Sequence, residues 1–401
     1  MTILALIFGR GLAQAAGMIA GLVAVRLLAP SAFGAYSLAT TTIGLIGILA
    51  DMGLDPILTA RTAANPQAQG VLLWAAIRWR FIATLATALV ILLAALIPPL
   101  GRPDLLLVGV ISLFPRGVIR AICAALTGLD KARRAASIEL FTGLGIALLT
   151  IMGAIFGRDA LWLMGALAVG NGIGMIAALG GRPHPTPQTG GIDLHWRWQM
   201  GLPFVLVGLA GALFQGLDLY LVAALYARPE YDAVAFYAAS LRVVSLLLIV
   251  PTAWGTVMLP RYIRAYQTSP LAARRLWRRQ QGALLMVGIA LAAVSGWLST
   301  PFIGWLLGES YTIAAPILAI LGCMVIPVCV SAPTIALLTA QGRTGGIAMA
   351  VIIAGGAALL IILLIGIYIP FSPPQGVIAI AAVKVFAMAL LAWLYGRAVA
   401  R

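Results

Sequence analysis

Four basic side chains interrupt long apolar stretches of this sequence: Arg116, Arg120, Arg242 and Lys384. Arginine presents a planar fork of N–H donors that matches phosphate-type anions, so these positions point to anion recognition away from bulk water. Arg116 and Arg120 are four residues apart and share one helix face. Pro115, next to them, would open that helix locally. The competing reading is structural: such side chains snorkel to a polar boundary or pair with carboxylates such as Glu139, and for Lys384 this reading is preferred. Asp218, close to Gln215, is the acidic counterpart. It suits either an ion-coupling site or an ion pair with a nearby arginine. Asp51 and Asp55 suit helix capping or pairing with Arg61.

Other chemistries lack their residues. Cys123, Cys323 and Cys329 all lie in apolar runs and are expected to be packing residues. His184 and His195 share a polar stretch without metal-ligand spacing. Neither Lys131 nor Lys384 sits in a phosphate-binding P-loop. No catalytic residue, metal or cofactor is expected.

The elements that carry these residues follow from composition. Hydrophobic residues make up 62% of the 401 positions and charged residues only 9%, whereas soluble domains carry roughly 25% charge. So little charge leaves most of the surface to face lipid. Twelve apolar runs long enough to span a bilayer can be read at 8–28, 34–57, 80–98, 104–128, 138–157, 160–180, 201–227, 233–258, 282–307, 312–340, 346–368 and 376–396. The run at 312–340 contains Pro316, Pro327 and Pro333 and should be kinked or partly interfacial. The first run, rather than being a cleaved signal, is read as a retained helix, because only a short apolar stretch precedes Arg10.

A net charge of +15 would suit nucleic acid, but the basic residues sit in short connections between apolar runs. Eighteen of them fall on the side of the N-terminus and four on the other, which puts both termini in the cytoplasm. The first group counts Arg78 and Arg80 as loop residues, and counts six arginines from Arg261 to Arg279.

The stretch 181–200, rich in Pro and Gly, reads as a cytoplasmic linker between an N-terminal six-helix lobe, 1–180, and a C-terminal one, 201–401. Two lobes with an even number of helices run in the same direction, related by a pseudo-two-fold axis along the membrane normal. Internal similarity accompanies the split: Ala32-Phe33-Gly34-Ala35-Tyr36-Ser37 opens the second run and Ala233-Val234-Ala235-Phe236-Tyr237-Ala238 the eighth. Gly17 and Gly21, the glycines near Gly170, Gly172 and Gly174, and those of 208–216 read as close-packing positions. Asp218 and Arg242 lie at equal distances from the turn between the seventh and eighth runs, both about 14 Å deep at 1.5 Å per residue. They are therefore expected to pair.

Several short motifs carry a resemblance. Arg26-Leu27-Leu28-Ala29-Pro30-Ser31-Ala32-Phe33-Gly34-Ala35-Tyr36 and Asp51-Met52-Gly53-Leu54 resemble the first loop and second helix of bacterial polysaccharide and O-antigen flippases. Gln215-Gly216-Leu217-Asp218, Tyr237-Ala238-Ala239-Ser240-Leu241-Arg242 and Leu337-Leu338-Thr339-Ala340-Gln341-Gly342-Arg343 are similar to later helices of the same family. That family belongs to the multidrug, oligosaccharidyl-lipid and polysaccharide flippase superfamily. The resemblance implies an all-α polytopic membrane protein whose two lobes alternate around a central cavity. It implies a lipid-linked oligosaccharide on undecaprenyl pyrophosphate as substrate, moved from the cytoplasmic to the outer leaflet of the bacterial inner membrane. Arg116, Arg120 and Arg242 would then contact the pyrophosphate. Partners would be membrane lipids and other polysaccharide-assembly proteins, with the transporter itself a monomer and no nucleic acid involved.

Two other classes fit the composition. A polysaccharide polymerase or ligase would need a large outer loop with acid–base residues, and the outer connections here are short. A small-molecule or drug exporter of the same superfamily would favour an acidic, aromatic cavity, whereas the intramembrane charges here are mostly basic.

Overall fold

Proline placement sets many of the helix boundaries in the computed structural model, which describes residues 2–95, 102–182, 198–226, 232–368 and 372–400. The expected linker at 181–200 falls mostly outside the described residues, as do His184, His195 and most of the outer connections 99–103, 228–232 and 369–375. Everything described is helix or short connection, without a strand among the described residues. The chain divides into two compact units, Met1–Leu209 and Ala210–Arg401.

The first unit contains α1 (Thr2–Leu27), α2 (Pro30–Asp51), α3 (Leu54–Ala64), α4 (Gln69–Ala94), α5 (Pro103–Gly128), α6 (Ala132–Phe156) and α7 (Ala160–Gly180). Pro30 and Pro103 open α2 and α5 at positions where the missing N–H interrupts no helical bond. Helix α5 is the hub: it packs against α2, α3, α4, α6 and α7, while α1 packs along α6.

The second unit takes the latter part of α8 (Trp198–Tyr226), then α9 (Asp232–Leu247), α10 (Ile249–Thr268), α11 (Pro270–Leu307), α12 (Ala315–Gly322), α13 (Val325–Ala340), α14 (Thr344–Tyr368) and α15 (Pro373–Ala400). Here α13 is the hub, packed against α10, α11, α14 and α15. Each unit thus has a central helix, which covers the expected fourth span in the first and part of the expected tenth in the second.

The second helix of each unit is broken. Between α2 and α3, Met52 and Gly53 both adopt left-handed backbone, with φ of 46° and 63°. Between α9 and α10 the chain bends by 42° at Leu248. Pro251 follows three residues later, and its ring excludes the carbonyl of residue 247 from helical bonding. The helix expected to be irregular at 312–340 is interrupted: α12 ends at Gly322 and α13 restarts at Val325. Pro327 accounts for it in the same way, because the carbonyl four residues earlier belongs to Cys323.

Nine helices among the described residues are long and apolar enough to cross a membrane, ten if the bent α9–α10 pair is one span. Two shorter apolar helices, Gly11–Leu27 and Gly211–Tyr226, stand where the first and seventh spans are expected. The faces turned outward are apolar: Ile82, Leu85, Leu89 and Leu93 form one exposed stripe along α4. Water would penalise such a stripe and lipid accepts it. The chain is a multi-pass membrane protein.

Small residues bring helices close, though not everywhere the spacing suggests. A methyl group on Gly174 would meet Thr142 of α6 at 2.3 Å, and one on Gly170 would meet Ile146 at 2.5 Å. Gly17 faces open space, and α1 instead approaches α6 through Ala13 against Gly143. The three cysteines are free; Cys123 and Cys329 are buried, and Cys323, expected to be a packing residue, is exposed.

Candidate functional site

The break between α2 and α3 projects two carboxylates toward α4 and α5. Asp51 is the last residue of α2 and Asp55 lies in the first turn of α3. They meet Arg80 of α4 and Arg120 of α5. Arg120 pairs with Asp51, and its Nε donates to Asp55 Oδ2 at 2.8 Å. Arg80 pairs with Asp55, and its Nη1 donates to the Gly117 carbonyl at 2.9 Å. These findings correct two expectations. Asp51 and Asp55, expected to cap helices or pair with Arg61, hold Arg120 and Arg80 instead, and Arg80, expected in a loop, lies well inside α4, only 2% exposed. An arginine so buried must find charge compensation, and Asp55 supplies it.

Arg116 belongs to the same cluster. It lies one turn from Arg120, midway along the 26-residue α5, about 20 Å from that helix's start at 1.5 Å per residue. The charges of Asp51, Asp55 and Arg120 all bear on it. It is exposed and, unlike Arg80 and Arg120, holds no ion pair among the described residues. Leu107 and Ile111 are the exposed apolar residues of α5, and Arg116 stands about 140° around the helix from Ile111. Three arginines thus face two aspartates, and the charge of Glu139 also bears on Arg120. On the same helices, Ile119 and Ile122 of α5 pack with Leu58, Leu72 and Leu73 in a buried apolar cluster.

A second buried charge site lies in the other unit. Lys384 Nζ of α15 donates to the carbonyls of Phe214 at 2.7 Å and Gln215 at 3.2 Å, and to Asp218 Oδ1 at 3.3 Å. The ammonium also sits 5.2 Å from the centre of the Phe214 ring. Asp218 Oδ2 accepts from the Tyr237 hydroxyl at 2.6 Å. All three ammonium protons and both carboxylate oxygens have partners. The expected pairing of Asp218 with Arg242 is therefore corrected: the carboxylate is taken by Lys384 and Tyr237. The depth argument could place the two residues at one level, but could not see a lysine arriving from 166 residues away in sequence. Gln215 contributes its main-chain oxygen while its side chain is exposed, and Arg242 is half-buried on α9.

Residues 23–316 match the sequence model of a family described as "Polysaccharide biosynthesis protein". The chain belongs to that family. Against curated proteins its sequence finds no match. Solved structures share the fold across the whole chain. An inward-facing multidrug resistance MATE family transporter of the MOP superfamily is 14% identical with a TM-score of 0.75, covering 98% of this chain and 94% of that one. The lipid II flippase MurJ, in an inward closed conformation, is 13% identical with a TM-score of 0.72, covering 98% of this chain and 87% of that one. A MOP-superfamily transporter from Pyrococcus furiosus is 13% identical with a TM-score of 0.65, covering 100% of this chain and 96% of that one. This member of the polysaccharide biosynthesis family therefore has the fold of MOP-superfamily transporters and flippases.

Within this family member, sequence reasoning found Arg116 and Arg120 but missed Arg80 as their companion. A partial signal was present: Asp51 and Asp55 are carboxylates inside an otherwise apolar stretch and need compensating charge there. Among the described residues no group of His, Cys, Asp and Glu could hold a metal ion.

Proposed function

We propose that the protein is a flippase carrying an undecaprenyl-pyrophosphate-linked oligosaccharide from the cytoplasmic to the outer leaflet of the bacterial inner membrane. Its two lobes alternate access around a cationic cavity, with both termini in the cytoplasm. The observation that carries this reading is Arg116, an exposed arginine at mid-helix whose companions are neutralised by aspartates. An ionised side chain at that depth is costly, and a pyrophosphate group offers the direct contact that no carboxylate of the cluster makes with it. Arg120 and Arg242 complete the phosphate contacts. Asp51, Asp55 and Arg80 hold Arg120 in place. Family membership and the fold shared with a lipid II flippase support a lipid-linked substrate. Asp218 acts as the structural partner of Lys384 rather than as an ion-coupling site.

The rival reading is a small-molecule exporter, which the likeness to a multidrug resistance transporter favours. Purified protein in proteoliposomes separates the two. With a fluorescent pyrophosphate-linked oligosaccharide in the outer leaflet, the flippase exposes label to the lumen faster than empty vesicles do. Equal rates with and without protein, together with efflux of a cationic dye, would establish the exporter instead.

A further inference from the structure

We infer that the N-terminal part of α11 forms a binding face for anionic phospholipid headgroups, independent of the substrate site. Arg274, Arg275, Arg278 and Arg279 are all exposed there, and Arg261 on the preceding helix α10 is exposed as well. Between Asp232 and Glu309 the chain contains no acidic residue to neutralise them.

Helix length places these arginines at the membrane boundary. Helix α11 has 38 residues, roughly 57 Å at 1.5 Å per residue, whereas the hydrocarbon core is only ~30 Å thick. Several turns must project beyond it. The projecting part is the N-terminal one, because apolar sequence begins at Gly282.

Helical phase then selects lipid over solvent or cavity. At about 100° per residue, the four arginines occupy an arc of about 140°. Leu285, Met286 and Ile289 lie on that same arc further along and are 38%, 66% and 44% exposed. The opposite face is the packed one. Ala273 and Leu284 are buried, Trp277 Nε1 donates to Thr334 Oγ1 of α13 at 3.1 Å, and Gly288 lies against Ile326 and Cys329. The arginines therefore stand directly above a lipid-facing stripe, where the phosphates of the adjoining leaflet are found. Arg274 also ties the corner to the end of α15, its Nη2 donating to the Val399 carbonyl at 3.5 Å.

Basic clusters beside a membrane span attract anionic lipids, with an effect of about fivefold in affinity per arginine. The test is native mass spectrometry of the full-length protein from micelles holding equal amounts of phosphatidylglycerol and phosphatidylcholine. The wild type should retain phosphatidylglycerol in excess. Replacing Arg275, Arg278 and Arg279 together by Gln, with Arg274 kept for its Val399 bond, should reduce that excess more than tenfold. The triple Lys replacement should preserve it. An unchanged lipid ratio in the Gln variant overturns the proposal, and so does equal loss in the Lys variant. Should the Gln variant not fold, ionic strength serves on the wild type. Raising it from ~0.01 M to ~1 M shortens the screening length from ~30 Å to ~3 Å and should abolish the excess; persistence would overturn the proposal. Neither readout involves transport, so the result is separate from that of the flippase assay.

Discussion

Lys384 and Asp218, on α15 and α8, meet at 3.3 Å in a setting where both side chains are about 95% buried. Tyr237 and two main-chain carbonyls complete the shell. Removing one member of a buried pair leaves an uncompensated charge, at a cost of about 3–5 kcal/mol. Asp218→Asn alone should therefore lower the unfolding midpoint and the folded yield. Asp218→Asn combined with Lys384→Met should recover most of both, whereas Asp218→Asn combined with Arg242→Gln should not. Recovery by the Arg242 change and not by the Lys384 change would restore the pairing expected from sequence depth alone.

The two aspartates of the first unit should differ in consequence. Asp55 is the carboxylate paired with the deeply buried Arg80 and also with Arg120. Asp51 serves Arg120, which is 38% exposed. Asp55→Asn should destabilise by several kcal/mol, as a broken buried pair does. Asp51→Asn should cost less, because Arg120 retains Asp55 and reaches solvent. Thermal unfolding of the two variants in detergent gives the order directly, and equal midpoints would contradict it.

Much of this site was legible in the sequence because charge is rare in apolar runs. Arg116 and Arg120 stand out in 104–128 by type and spacing alone. Arg80 did not, since it follows Arg61 and Arg78 at the edge of a polar stretch and reads as part of a loop until the start of α4 at Gln69 is known. The prolines of 312–340, Pro327 among them, foretold an irregular helix, whereas Pro251 in the eighth run carried no such expectation. The α2–α3 break combines left-handed backbone at Met52 and Gly53 with Pro56, whose ring excludes the Met52 carbonyl from helical bonding; the glycine and the proline are visible in sequence, the left-handed Met52 is not. Lys384 illustrates the other limit: its partners lie on a helix distant in sequence, and periodicity carries no information about which distant helices become neighbours.

Glycine positions offer a test of packing that is independent of charge. Gly174→Val would drive a side chain into Thr142 and should cost about 1–3 kcal/mol, as overpacking does. Gly17→Ala meets nothing within 4 Å, and should be neutral or stabilising by roughly 0.5–1 kcal/mol through helix propensity. Melting curves of the two variants should shift in opposite directions or, for Gly17→Ala, not at all. A larger loss at Gly17 than at Gly174 would contradict the helix contacts described for α1 and α7.

The flippase reading rests most heavily on Arg116, and the measurement that bears on it is flipping of a pyrophosphate-linked oligosaccharide by reconstituted Arg116→Ala and Arg116→Lys. Arg116 holds no ion pair among the described residues, so both variants should fold and reconstitute as the wild type does. Losing a hydrogen-bonded charge contact of about 1.5–3 kcal/mol should slow flipping by Arg116→Ala at least tenfold. Lysine keeps the charge but loses the fork, so Arg116→Lys should fall between alanine and the wild type. Wild-type rates in Arg116→Ala, at equal protein in the vesicles, would contradict the account.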